Sequence, residues 1–127
     1  MNPRWLDYSF IFATIALTVY GQLILKWRMD QIGPLPAGFG GGLRHLLGLL
    51  LDPVVVSSFG AAFLASLAWM AAMTRFELSY AYPFMSLNFV VVLVLSVAFL
   101  GETPTLNKVL GVALIVIGTV VASAGQR

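Results

Sequence analysis

The sequence predicts an all-α membrane protein with four transmembrane helices. Hydrophobic residues make up 60% of its 127 residues and charged residues only 9%. Four apolar runs between the charges are each close to the roughly 20 helical residues that cross a hydrocarbon core. The predicted spanning helices cover residues 8–25, 53–74, 78–100 and 107–124. Little chain remains for a soluble unit, so we expect residues 1–127 to form a single transmembrane domain.

The connections between these helices differ in length. After the first helix, "DQIGPLPAGFGGG" contains two prolines and five glycines, which exclude continued helix. The next segment, "LRHLLGLLLDP", has leucines at helical spacing but is too short to span, so it predicts a short interfacial helix between helices one and two. Asp52 should cap the second spanning helix and Pro53 should occupy its first turn. The links "TRFE" and "GETPT" are short and predict antiparallel hairpins.

The first spanning helix carries polar side chains at intervals of four residues. These are Thr14, Thr18, Gln22 and Lys26. A polar stripe on an apolar helix should not face lipid, so we predict that it lines a substrate-binding cavity. In the alternative interpretation, the threonine hydroxyls bond their own helix and Lys26 extends to the membrane interface.

Two further residues next to short connections are candidates for the same site. Trp69, near the end of the second helix, suits either a cavity wall or the aromatic belt at the membrane interface. Glu77 opens the third helix, where an acid can bind substrate or simply complement the helix dipole beside Arg75.

The third helix contains a proline among polar residues. Pro83 should bend the helix and free a backbone carbonyl, which a bilayer tolerates only where protein or water satisfies it. Tyr80, Tyr82 and Asn88 surround the predicted bend, and we expect them to line a partly hydrated binding site. Asn88 could instead bond a neighbouring helix.

The fourth helix has a face of small residues. Gly111 and Gly118 are seven residues apart, close to two helical turns, and Ala122 follows on roughly the same face. Such a face allows a second helix to approach closely, so it predicts a dimer interface.

The titratable residues argue against enzymatic chemistry. The chain has no cysteine and one histidine, and its five acids are scattered among the connections. We therefore predict no catalytic residue, no metal site and no cofactor, and no nucleic acid as partner. The seven basic residues divide three against four between the two sides of the membrane, so they set no orientation and would permit an antiparallel pair.

The segments "GQLILKW", "ELSYAYPFMSLNFVVV", "GETPT" and "GVALIVIG" resemble the drug/metabolite transporter superfamily, over about residues 8–123. Within it, the chain is similar to four-helix, EamA-like and small multidrug resistance-like proteins. The resemblance implies an EmrE-like small transporter fold in the bacterial inner (cytoplasmic) membrane. It also implies a homodimer, or a heterodimer with a homologous four-helix subunit.

One departure from the multidrug branch bears on the substrate. Those transporters carry a glutamate in the first helix to exchange protons for cations, whereas the matching position here is Thr18. The resemblance therefore favours the small subunits that move undecaprenyl-phosphate-linked aminosugars, with Lys26, Gln22, Thr18 and the tyrosines offering donors to the headgroup. Two alternatives remain. One is a small-molecule or cation exporter that uses Glu77, and the other is an accessory subunit of a membrane glycosyltransferase or sister transporter.

Overall fold

A computed structural model describes residues 4–124, which form six helices. Among the described residues, five of these six helices make up four segments long and apolar enough to cross a membrane, which confirms the predicted all-α membrane fold. The helices are α1 (Arg4–Ile32), α2 (Phe39–Leu49), α3 (Pro53–Met73), α4 (Leu78–Met85), α5 (Leu87–Phe99) and α6 (Leu106–Ala124). The third span consists of α4 and α5 together.

Helix α1 is longer than the predicted segment 8–25. Its 29 residues correspond to about 43 Å at 1.5 Å per residue, so both ends project beyond the hydrocarbon core. The Lys26–Asp30 ion pair, at 3.0 Å and one turn apart, supports the additional C-terminal turns. The helix ends only at Gly33, whose φ of 98° is incompatible with a right-handed helix.

The start of α3 confirms the predicted cap. Asp52 Oδ1 accepts a hydrogen bond from the Val54 N–H at 2.9 Å, and Pro53 is the first helical residue. The other carboxylate oxygen, Oδ2, accepts from Arg28 Nε of α1 at 2.7 Å. The hydrogen bond from Arg28 lowers the pKa of the Asp52 carboxyl below its usual value, because it stabilises the charged form. One carboxylate thus both starts α3 and joins it to α1.

The third span is interrupted rather than simply bent. Pro83 has no N–H to donate, and Ser86 N–H donates to the Pro83 carbonyl three residues back, at 3.0 Å. This tighter turn separates α4 from α5 at Ser86. The sequence predicts one helix over 78–100 with a bend at Pro83, whereas the structure has two helices that meet three residues after the proline.

Helices α1 and α3 form the most extensive helix interface. At its centre a Cβ added to Gly21 would lie 3.1 Å from the Ser58 carbonyl oxygen, so the two backbones are nearly in contact. Helices α1 and α6 each pack against both α4 and α5. The buried apolar core lies where α1, α3 and α4 meet, and consists of Ile11, Ile15, Val19, Ala72 and Ala81.

The end of the bundle that holds the start of α1 has its own polar contacts. Asp7 Oδ1 lies 3.5 Å from Arg75 Nε, which joins α1 to the link after α3. The hydroxyls of Tyr8 and Tyr80 are 2.6 Å apart and join α1 to α4.

Candidate functional site

A cavity of about 640 Å³ lies between α1, α3 and the α4–α5 span. It opens onto the surface of the bundle, because several residues of its wall are exposed. The lining residues are Thr14, Thr18, Gly21, Gln22, Leu25, Ser58, Phe59, Ala62, Ala65, Ser66, Trp69, Met70, Tyr82, Met85, Ser86, Asn88 and Phe89.

The polar stripe of α1 enters this cavity in part. Thr14, Thr18 and Gln22 line it, but Lys26 does not. The Lys26 ammonium is half-exposed and pairs with Asp30 one turn further along α1. Residues four apart differ by about 40° in their direction around a helix. The Lys26 side chain therefore leaves α1 about 120° away from the direction of Thr14.

The Thr14 side chain both hydrogen-bonds its own helix and lines the cavity. Its hydroxyl donates to the Phe10 carbonyl at 2.8 Å, within the same helix. The hydroxyl hydrogen is therefore occupied, but the oxygen can still accept a further hydrogen bond. The two interpretations of the stripe are thus compatible.

Helix α3 contributes a wall of small residues that ends at an aromatic pair. Ala62, Ala65 and Ser66 leave room beside α1. Trp69 meets Tyr82 of α4 edge to face, with ring centroids 6.1 Å apart and planes at 75°. Both rings line the cavity, so they form an aromatic end to it.

The junction between α4 and α5 contributes the remaining polar groups. Ser86 and Asn88 lie on either side of the first residue of α5, and both line the cavity. Asn88 Oδ1 is buried and has no hydrogen-bond partner among the residues that the structure describes. An unpaired amide oxygen is rare in a packed interior, because its lost hydration has not been replaced.

Besides Lys26, two more of the predicted site residues lie elsewhere. Tyr80 packs among aromatic rings on the α1 side of α4, stacked on Phe76 and edge to face with Phe84. Glu77 precedes α4 and accepts the Tyr80 and Ala81 N–H groups through its backbone carbonyl. Neither residue lines the cavity.

The charge of the cavity wall is distinctive. Among the described residues that line it, none is Asp, Glu, Lys, Arg or His. The hydrogen-bonding capacity comes from hydroxyls, amides and backbone, and most of the remaining lining is apolar or aromatic. This composition suits a group with several hydrogen-bonding atoms more than a bare anion, for which the lining has no cationic partner.

The small face of α6 lies on the outside of the bundle. A Cβ added at Gly111 or Gly118 would meet nothing within 4 Å, and Ala122 is exposed. This surface is open to lipid or to a second subunit.

Sequence reasoning missed a polar contact at a neighbouring position on α6, about 60–100° around the helix from this small face. Thr119 is buried, and its Oγ1 lies 3.1 Å from the Pro83 carbonyl oxygen and 2.9 Å from that of Ile115. The Pro83 carbonyl oxygen therefore accepts a hydrogen bond from a hydroxyl on another helix. A lone hydroxyl in the middle of an apolar helix was the available signal.

Comparison with known proteins places these features in context. The chain matches the EamA-like transporter family over residues 6–124. It is 30% identical over 121 residues to a protein of Aeromonas salmonicida, covering 94% of this chain and 80% of that one. A protein of Serratia proteamaculans is 35% identical over 115 residues, covering 87% of each chain. Both relatives are named as a probable 4-amino-4-deoxy-L-arabinose-phosphoundecaprenol flippase subunit, ArnF. No solved structure matches the chain significantly.

Proposed function

The chain belongs to the EamA-like transporter family, and from that membership we propose that it translocates a polyprenyl-phosphate-linked aminosugar, or a closely related polar lipid, across the bacterial inner membrane. The observation that carries this proposal is the cavity between α1, α3 and the α4–α5 span, whose wall offers hydroxyls, amides and aromatic rings. We propose that it holds the sugar head during transfer, with no chemical step.

The cavity has the size and composition that a sugar requires. Its volume of about 640 Å³ falls within the range of roughly 300–1,000 Å³ typical of small-molecule sites. The rings of Trp69 and Tyr82 can cover the apolar face of a sugar, while Thr18 and Gln22 face its hydroxyls. The polyprenyl tail would remain in the lipid, so only the head crosses the membrane.

The phosphate fits the cavity less well than the sugar. Phosphate oxygens prefer cationic donors, and the lining residues named above include none. Lys26, half-exposed at the Asp30 end of α1, is better placed to meet a phosphate at the membrane interface. We therefore propose that Lys26 acts at the rim and not within the cavity.

Proton-coupled export of cations is a weaker candidate. Such exchange needs one acid that binds either the proton or the cation, and Glu77 lies at the start of α4, away from the cavity wall. We expect Glu77→Gln to retain lipid translocation. Transport of a cationic substrate by the wild type that is lost in this variant, with an intact fold, would favour the exporter.

We further propose that a second four-helix subunit, identical or homologous, docks on the α6 surface formed by Gly111, Gly118 and Ala122. Close helix approach in lipid depends on such small residues. Gly111→Cys and Gly118→Cys should each form a disulfide-linked dimer in native membranes, while Leu106→Cys at the exposed start of α6 should not. Failure of both glycine variants to crosslink would exclude this interface between identical copies.

The translocation itself can be tested with the amino group of the substrate. The purified protein would be reconstituted in vesicles with a short-chain polyprenyl phosphate that carries 4-amino-4-deoxyarabinose. In protein-free vesicles, a membrane-impermeant reagent that reacts with amines labels only the lipid of the outer leaflet. We expect the protein to bring inner-leaflet lipid to the outer leaflet, so that it is labelled too. Labelling that stops at the outer leaflet would contradict independent transport and favour the accessory role. Ser123→Ala, on the exposed side of α6, should behave as wild type.

A further inference from the structure

Three of the six side-chain hydroxyl groups of the cavity wall already donate their hydrogens to backbone carbonyls of the protein. Thr14 donates to Phe10 O, and Ser58 donates to Val55 O at 2.7 Å. Ser66 likewise donates to Ala62 O at 3.1 Å. Each hydroxyl has a single hydrogen, so these three oxygens can only accept a further bond.

Asn88 adds an acceptor of the same kind from the opposite wall. Its Oδ1 is buried and has no partner among the described residues, although the residue lines the cavity. The three hydroxyls cannot satisfy it, because their hydrogens are occupied. Rotation of the amide about χ2 would bring Oδ1 towards a donor that enters the cavity with the ligand.

From this arrangement we infer that Asn88 is a specificity-determining residue, whose Oδ1 accepts a hydrogen bond from a donor group of the ligand. A sugar with hydroxyl and amino groups supplies such donors, whereas an ionised phosphate supplies only acceptors. The protein should therefore bind a glycosylated polyprenyl phosphate in preference to the same lipid without its sugar. This inference rests on the proposed function and adds the chemical basis of the selection.

The experiment compares two ligands that differ only in the sugar. Binding of short-chain polyprenyl phosphate, with and without 4-amino-4-deoxyarabinose, would be measured by competition with a fluorescent lipid on the purified protein in detergent. Wild type should prefer the glycosylated lipid. Asn88→Leu should weaken its binding about five- to tenfold, as loss of one hydrogen bond implies, and leave binding of the bare lipid unchanged.

The controls separate recognition from folding. Asn107→Leu makes the same replacement at an exposed residue of α6 outside the cavity and should not alter the preference. Asn88→Leu should be at least as heat-stable as wild type, since it removes an unpaired buried oxygen. If leucine proves too large, Asn88→Ala tests the same loss without added bulk.

Each result bears on a different claim. Equal loss of both ligands in Asn88→Leu, or no loss of either, would overturn the inference. So would equal binding of the two lipids by wild type. Binding of neither lipid by wild type would instead contradict the proposed function.

Discussion

The two halves of the bundle are held together in different ways. Helices α1 and α3 share the largest interface, and an ion pair lies at each end of it: Arg28–Asp52 at one end and Asp7–Arg75 at the other. Of the most apolar stretch of each span, 28% is buried in α1 and 22% in α3, but only 6% in α4–α5 and 6% in α6. The first half is therefore internally packed, and the second is mostly open surface.

This difference suggests how the cavity could change shape. One wall belongs to the α1–α3 pair, whose backbones nearly touch at Gly21. The other wall belongs to an interrupted span, joined to α6 by Thr119 and to α1 by the Tyr8–Tyr80 bond. We expect α4, α5 and α6 to move and the α1–α3 pair to stay fixed. The following changes test that contrast, from the largest expected effect to the smallest.

The close approach of α1 and α3 can be broken directly. A side chain at Gly21 would collide with the Ser58 backbone carbonyl, which cannot rotate away. Gly21→Leu should therefore cost about 1–3 kcal/mol of stability, as overpacking in a tight core does. Thermal unfolding in detergent, followed by tryptophan fluorescence, measures the loss. Gly60→Leu, where an added Cβ meets nothing within 4 Å, is the matched control; equal losses in both variants would contradict a tight interface.

The Arg28–Asp52 pair predicts a dependence of stability on pH. Asp52→Asn keeps an oxygen for the Val54 N–H but loses the charge that faces Arg28. Because folding lowers the pKa of Asp52, its contribution is complete above the ordinary value of 3.8 and is lost as the pH falls through the folded value. Wild type should melt at a higher temperature than the variant near neutral pH, and the two should converge in acid below 3.8.

The control for this pair lies on the surface of α1. Asp30→Asn breaks the exposed ion pair to Lys26, which solvent screens. It should change the melting temperature little at any pH. A shift as large as that of Asp52→Asn would mean that surface charge, and not the contact between α1 and α3, decides the effect.

The hydroxyl contact between α1 and α4 should have an intermediate effect. Tyr8→Phe keeps the ring contacts with Phe76 and Phe84 but removes one of two hydroxyls that are 2.6 Å apart. We expect a loss of about 1 kcal/mol, typical of one hydrogen bond. A double-mutant cycle with Tyr80→Phe isolates the pairwise contribution, and strict additivity of the two changes would show that the hydroxyls are not coupled.

The smallest expected effect is at Thr119. Thr119→Val removes the donor to the Pro83 carbonyl but nearly preserves shape, so we expect a loss of about 0.6 kcal/mol, typical of hydrogen bonds between helices in membranes. Ser123→Ala, whose hydroxyl donates to the Val120 carbonyl of its own helix, should cost less. Equal stability of the two variants would mean that Thr119 does not join α6 to α4.

The fold could be predicted from the sequence because its main signals are local. Four apolar runs predict four spans, and an Asp-Pro pair before an apolar run predicts the cap at Asp52. The C-terminal end of α1 was less predictable. Charges at Lys26, Arg28 and Asp30 close the apolar run, but they do not break a helix, which continues until Gly33.

The candidate site could be predicted only in part, because it depends on direction and tertiary contacts. The interval of four residues brings Thr14, Thr18 and Gln22 to one cavity, but the rotation around the helix takes Lys26 away from it. Nearness in sequence to Pro83 did not bring Tyr80 into the cavity either. Neighbouring residues of a helix point in different directions, and Tyr80 points towards Tyr8.

Contacts between residues far apart in the chain could not be predicted from the sequence. Neither Arg28–Asp52 nor Thr119–Pro83 follows from local patterns, because each joins two helices whose relative rotation is set by packing. The uncharged wall of the cavity needs no such contact, because the charged residues already lie at or beyond the ends of the apolar runs in the sequence.

The most direct test of the central claim, that the cavity holds the sugar head of a lipid, uses the absence of native cysteine. Ser66→Cys places one thiol in the α3 wall, and Ala37→Cys places one in the exposed link after α1. The rate of maleimide labelling of each would be measured with and without the aminosugar-linked polyprenyl phosphate. We predict that the lipid slows labelling at Ser66→Cys and leaves Ala37→Cys unaffected. Unchanged labelling at Ser66→Cys under saturating lipid would contradict the account.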